Sequence, residues 1–173
     1  MTVDPLKAAL FLFVAVLVQV SMLSAYAPFG GTADVVLVAL LSIALLRGSV
    51  FGAAAGFAAG LLLDTATLAT LGFTSLLLTV GGFWIGRYGE TTARDRFHAP
   101  FTSVGVVTVL YELAKIALRF VLGDSAPAGA VIAGLPAEVA LNLLLTLPVY
   151  ALVRRTFPPL DVSDRVREVR LLG

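Results

Sequence analysis

The chain has no cysteine. A disulfide framework, a thiolate metal site and a cysteine nucleophile are therefore excluded. His98 is its one histidine, too few for a histidine metal cluster or for pairing with a serine across a bilayer. Asparagine and glutamine occur once each, as Asn142 and Gln19. Charge is the other shortage: Asp, Glu, Lys and Arg make up 13% of the 173 residues, against about 25% in a soluble domain. There is no phosphate-binding Gly-rich loop ending in Lys and Ser or Thr, so nucleotide hydrolysis has no support. Gly123, Asp124 and Ser125 begin like a serine-hydrolase elbow, but Pro127 stands where that turn needs its second glycine.

What fills the space is apolar: 59% of the residues are hydrophobic. This predicts an all-α integral membrane protein with little outside the bilayer, organised as a membrane domain over 1–153 and a short basic tail over 154–173. The pattern predicts six spans. The first runs from about Lys7 to Tyr26 and is expected to be retained, because its apolar run is longer than a signal peptide core and Pro28 would follow the cut. The second, Asp34 to Leu46, and the third, Val50 to Leu63, reach only about 21 Å as helices, short of a ~30 Å hydrocarbon core. Either they cross a thinned region or they form a hairpin that enters partway. The fourth covers Leu71 to Ile85 and the fifth Pro100 to Leu122. A short helix capped by Asp124 and Ser125 is expected to reach Gly134, and the sixth span to run from Pro136 to Val153.

Six crossings place Lys7, Arg47, Arg87, Arg94, Arg96, Arg154, Arg155, Arg165, Arg167 and Arg170 on one side. The opposite loops carry acids, Asp34, Asp64 and Asp124, and no base. The positive-inside rule then puts both termini in the cytoplasm. Arg87, Arg94 and Arg96 of the polar loop, with Arg165, Arg167 and Arg170 of the tail, are the candidates for cytoplasmic contact. Val162, Val166 and Val169 give the tail one apolar helical face, suited to anionic headgroups or a cytoplasmic protein. The alternative is a frayed tail that only sets topology.

Three features could carry function. Gly52, Gly56 and Gly60 share one helix face and allow backbone-to-backbone packing, with another span of this chain or with another protein. Asp64 closes that segment, either anchoring a loop or meeting a partner. Asp64, Thr65 and Ala66 look like an aspartic-protease loop, but Ala66 replaces the usual glycine and no second buried aspartate accompanies it, so no catalytic residue is expected. Glu112, Lys115 and Arg119 lie on one face of the fifth span, with Glu138 and Asn142 on the sixth. Glu112 can pair with Lys115, and Arg119 with Glu138. This polar group is either an ion-pair staple or a wet pocket.

Together these pieces resemble the rod shape-determining MreD family of bacteria over nearly the whole chain. The resemblance is carried by the turn Arg47-Gly48, by Gly56, Phe57, Gly60, Leu61, Leu62 and Asp64, by Leu71-Gly72, and by Gly81, Gly82, Gly86 and Arg87. Ala33 departs from the family's proline before Asp34. The resemblance implies a non-enzymatic inner-membrane component of the cell-elongation machinery that needs no cofactor. The implied partners are the scaffold MreC and, more widely, the MreB filament, the RodA glycosyltransferase and a class B penicillin-binding transpeptidase. No nucleic-acid partner is implied. The family is similar in architecture to the S components of energy-coupling-factor transporters. The alternative is therefore a vitamin-binding subunit with Glu112, Lys115, Arg119 and Glu138 around its ligand. Against it, Ala8, Ala9 and Ala15 lack the spacing of a coupling face.

Overall fold

A computed structural model describes residues 3–23, 32–68, 70–93, 98–121, 123 and 128–157. Among these residues there are six helices and no strand: α1 (Val3–Val18), α2 (Val35–Arg47), α3 (Ser49–Thr67), α4 (Phe73–Tyr88), α5 (Ala99–Val121) and α6 (Ala128–Thr156). A π-helical turn, Gln19–Leu23, extends α1, and a second, Gly89–Ala93, extends α4. α3 and residues 131–156 of α6 are long and apolar enough to cross a membrane.

α2 is the axis of the bundle. Every residue from Val36 to Leu46 is buried, and α2 touches all five other helices. A helix that is apolar on every side has no solvent face to offer and belongs in the centre. Its 13 residues make it about 20 Å long. Its shortness fits this place, because its N-terminal end stops inside the protein and meets polar side chains of its neighbours. The other helices turn Leu6, Leu10, Phe57, Leu76, Trp84, Leu110 and Leu144 outward. That many exposed large apolar side chains suit contact with lipid.

Several helix ends differ from the sequence reading by a few residues: α1 starts at Val3, α4 runs on to Tyr88 with its π turn to Ala93, so that Arg87 is helical, and α6 ends at Thr156. Two further differences have a clear physical reason. α3 does not stop at Leu63 but continues to Thr67, about 28 Å in all. Thr65 and Thr67 fold their hydroxyls back onto the carbonyls of Leu61 and Leu63 at 2.9 and 2.8 Å, so these polar residues fit within a helix. The sixth span is not preceded by a separate short helix reaching Gly134. α6 is one helix from Ala128, with Pro136 and Pro148 inside it. A proline interrupts one backbone bond, but in a bilayer the surrounding backbone gains most by staying helical. Asp124 and Ser125, expected to cap the short helix, lie outside the described residues.

Candidate functional site

The glycines line a seam between α3 and α4. A Cβ built on Gly56 would lie 2.3 Å from the Leu78 carbonyl oxygen, and one on Gly60 2.3 Å from the Ser75 Cα. Gly52 and Gly82 face each other, each Cβ falling within 2.4 Å of the other's carbonyl oxygen. Further along, Gly86 meets Gly48 and Gly89 meets Leu45. Two helices with glycine every three or four residues thus interlock without side chains between them. Of the two uses expected for Gly52, Gly56 and Gly60, the geometry is that of packing within the chain. α4 covers this face, so docking of another protein's helix on it is set aside.

Both ends of the seam are fastened by acids. Asp64 is fully buried and accepts from the backbone N–H groups of Gly72, Thr74 and Ser75 at 2.9, 3.2 and 3.4 Å. These are among the orphan donors that open α4, so Asp64 caps the helix that follows its own. It anchors the loop, one of its two expected roles. At the opposite end Glu90 accepts from the Ser49 N–H at 2.8 Å and from its hydroxyl at 3.1 Å, capping α3. Gly48 has a positive φ of 98°, and a Cβ there would lie 2.3 Å from Glu90 Oε1, so a side chain would push the carboxylate off its cap. Arg87 approaches Glu90 to 3.6 Å and is 62% exposed. Arg47 lies 5.4 Å from the centre of the Phe157 ring. Arg94, Arg96, Arg165, Arg167 and Arg170 lie outside the described residues.

A polar layer surrounds the N-terminal end of α2. The Asp34 carboxyl accepts from the Leu37 N–H at 2.8 Å, the usual capping bond. The Asp34 N–H donates to Asn142 Oδ1 at 2.8 Å, and Asn142 Nδ2 donates to Thr108 Oγ1 at 3.2 Å. Gln19 Oε1 accepts from the Val36 N–H at 2.9 Å. One amide on α6 therefore ties α2 and α5 together while it is itself fully buried. Glu112 and Glu138, also buried, face each other with Lys115 beside them. Glu112 and Lys115 form the expected ion pair, and Lys115 also lies 4.8 Å from the centre of the Tyr111 ring. The expected Arg119–Glu138 pair does not form. Among the described residues no ion pair joins them, and Glu138 turns to Glu112 instead. Depth along two helices is a poor guide to pairing when the rotation of each helix is unknown.

The roles of Gln19, Asp34, Thr108 and Glu90 escaped the sequence reading. An acid directly before an apolar run is a capping signal, so Asp34 was legible in principle; the other three are fixed by tertiary placement. Replacing Asn142 with leucine is expected to destabilise the protein by about 2 kcal/mol, because it strands the buried Asp34 N–H. Thr108→Val should cost less, since it removes only the bond to Asn142. Thermal unfolding of both variants in one detergent checks the order.

The layer offers caps and neutralising pairs, and among the described residues no group of three His, Cys, Asp or Glu side chains could hold a metal ion. No curated protein and no solved structure matches the chain. The family model described as rod shape-determining protein MreD matches residues 5–156, spanning the glycine seam, both of its acid fasteners and the polar layer, and the chain therefore belongs to the MreD family.

Proposed function

We propose that the chain is a non-enzymatic membrane component of the rod complex that binds the scaffold MreC and so supports lateral peptidoglycan synthesis. Family membership gives it a part in determining cell shape. The observation that carries the rest is how the polar groups are used. Asp64 and Glu90 are committed to helix ends, Asn142 to two neighbouring helices, and Glu112 to Lys115. Side chains occupied in this way support a rigid body presented to partners more than a reaction centre. The same occupancy lends less support to the vitamin-binding alternative, in which Glu112, Lys115, Arg119 and Glu138 would have to be available to a ligand.

In this reading the Arg47 end of the bundle faces the cytoplasm, both termini lie there, and α2 runs from the protein interior to that face without spanning the full hydrocarbon thickness. Arg87, with the neighbouring Arg94 and Arg96 and the tail arginines Arg165, Arg167 and Arg170, meets the MreB filament or other cytoplasmic partners. The scaffold's membrane helix docks on a lipid-facing surface other than the glycine seam. RodA and the class B transpeptidase join through the assembled complex.

The test is capture of the tagged chain from its native membranes in mild detergent, with the co-purifying proteins identified by mass spectrometry. Recovery of MreC with the elongation synthases is the expected result. Recovery of a transport ATPase without MreC would replace this reading with the transporter one. The absence of native cysteine allows orientation to be read separately, from single cysteines at Lys7 and Arg87 and a thiol reagent that cannot cross the membrane.

A further inference from the structure

α5 and α6 pack antiparallel and in register. Gly105 faces Leu143, Thr108 faces Asn142 and Glu112 faces Glu138, so one number falls as the other rises. Glu112 lies nine residues before the end of α5 and Glu138 ten after the start of α6, roughly 14 Å along each helix. Two carboxyl groups therefore meet between the helices, well away from their ends. Glu112 is 3% exposed and Glu138 7%.

The two have different company. Glu112 forms an ion pair with Lys115, and Lys115 in turn rests against the Tyr111 ring. Glu138 has no such partner. Among the described residues no cation forms an ion pair with it, and no backbone or side-chain group donates a hydrogen bond to it. Its carboxyl points at that of Glu112. The other charge near the pair is a further acid, Asp34 of α2, which already accepts from the Leu37 N–H at 2.8 Å. An ionised carboxylate accepts hydrogen bonds and donates none. Two of them face to face repel each other, and burial removes the water that would otherwise bond to their oxygens.

The charges are also out of balance. Two carboxylates and one ammonium leave one negative charge, and an uncompensated charge in the core of a membrane bundle is costly. One proton removes both faults. Placed on Glu138, it neutralises the trio and supplies the missing donor, in the strong class of hydrogen bond that a hydroxyl makes to a carboxylate.

We propose that Glu112 and Glu138 hold one proton between them at neutral pH, with Glu138 donating to Glu112 and Glu112 ionised against Lys115, and that this proton joins α5 to α6. The pair takes one proton from water when the helices close and returns it when they part. A medium that strips the proton sets two like charges face to face, so the α5–α6 contact is the part of the bundle that proton supply can loosen. The inference needs neither the orientation nor any partner named above.

Infrared spectroscopy of the purified full chain in an ester-free detergent at neutral pH tests this, because a protonated carboxyl has a carbonyl band that a carboxylate lacks. The wild type should show a band that E138Q loses and D34N keeps. K115Q removes the cation, so the pair takes up a second proton and that band should grow about twofold. E112Q deprives Lys115 of its counter-charge, so Glu138 ionises in its place and the band is lost there too. E138Q should melt within about 2 °C of the wild type, since the amide keeps both the shape and a donor. A carbonyl region that E138Q leaves unchanged overturns the proposal, because both carboxyls are then ionised. Loss of the band in D34N instead also overturns it, moving the proton to the cap of α2. Failure of E138Q to fold does the same, since the amide supplies the donor assigned to Glu138. Should K115Q not fold, E112Q decides in its place, and a band that persists there overturns the proposal.

Discussion

Gly82→Ala is expected to destabilise the protein by about 3 kcal/mol, while Gly81→Ala, one residue earlier, leaves it unchanged or raises its stability by up to about 1 kcal/mol. The two glycines sit in the same helix and differ only in what they face. A methyl group on Gly82 would be 2.3 Å from the carbonyl oxygen of Gly52 and 2.7 Å from its carbonyl carbon. Those are backbone atoms of a packed helix and cannot move aside singly, so α3 and α4 must separate. A methyl group on Gly81 would be 3.6 Å from a methyl of Val107, an ordinary contact, and alanine is the better helix former. Gly56→Ala should behave like Gly82→Ala, since its methyl would be 2.3 Å from the Leu78 carbonyl oxygen. Melting temperatures of the three variants in one detergent decide the matter. A melting temperature unchanged or raised in Gly82→Ala would mean that the seam is looser than its geometry.

Asp64→Ala should lose about 3 kcal/mol, because three N–H groups at the start of α4, that of buried Ser75 among them, lose their acceptor at once. Asp64→Asn keeps one acceptor oxygen and should fall between alanine and the wild type. Asp64→Glu should also be destabilised, since the longer side chain has no room in a fully buried site. The series separates two roles. If Asp64 serves the fold, stability and rod-shape complementation decline together in the order Asn, then Ala. A folded Asp64→Asn variant with wild-type melting but no complementation would instead point to direct partner contact.

The glycine seam was half legible. The spacing of Gly52, Gly56 and Gly60 declares a face made for close packing, and Gly82 and Gly86 repeat the device on the next helix. Which helix would fill the face is a question of rotation, which spacing alone does not carry. Asp64 looked like a residue at the end of a helix because its partners lie 8 to 11 residues onward, past a turn, where no helical or strand period connects them. Pro136 misled for a physical reason. Proline opens helices where water can satisfy freed backbone groups, and in α6 it is carried through the middle. The family resemblance was legible from Asp34 to Gly86 because short glycine and leucine motifs survive there in order. The position of α2 at the centre was not, since a buried helix and a lipid-facing one are both simply apolar in sequence.

The bond from the Asp34 N–H to Asn142 spans 108 positions. A ribosome completes α2 long before it reaches Asn142, so through most of synthesis the central helix has a bare amide where the finished protein has a partner. Among the described helices α6 is made last, and it carries the side chain that satisfies this amide. Until Asn142 has been made, the head of the most deeply buried helix lacks the acceptor that the folded bundle gives it.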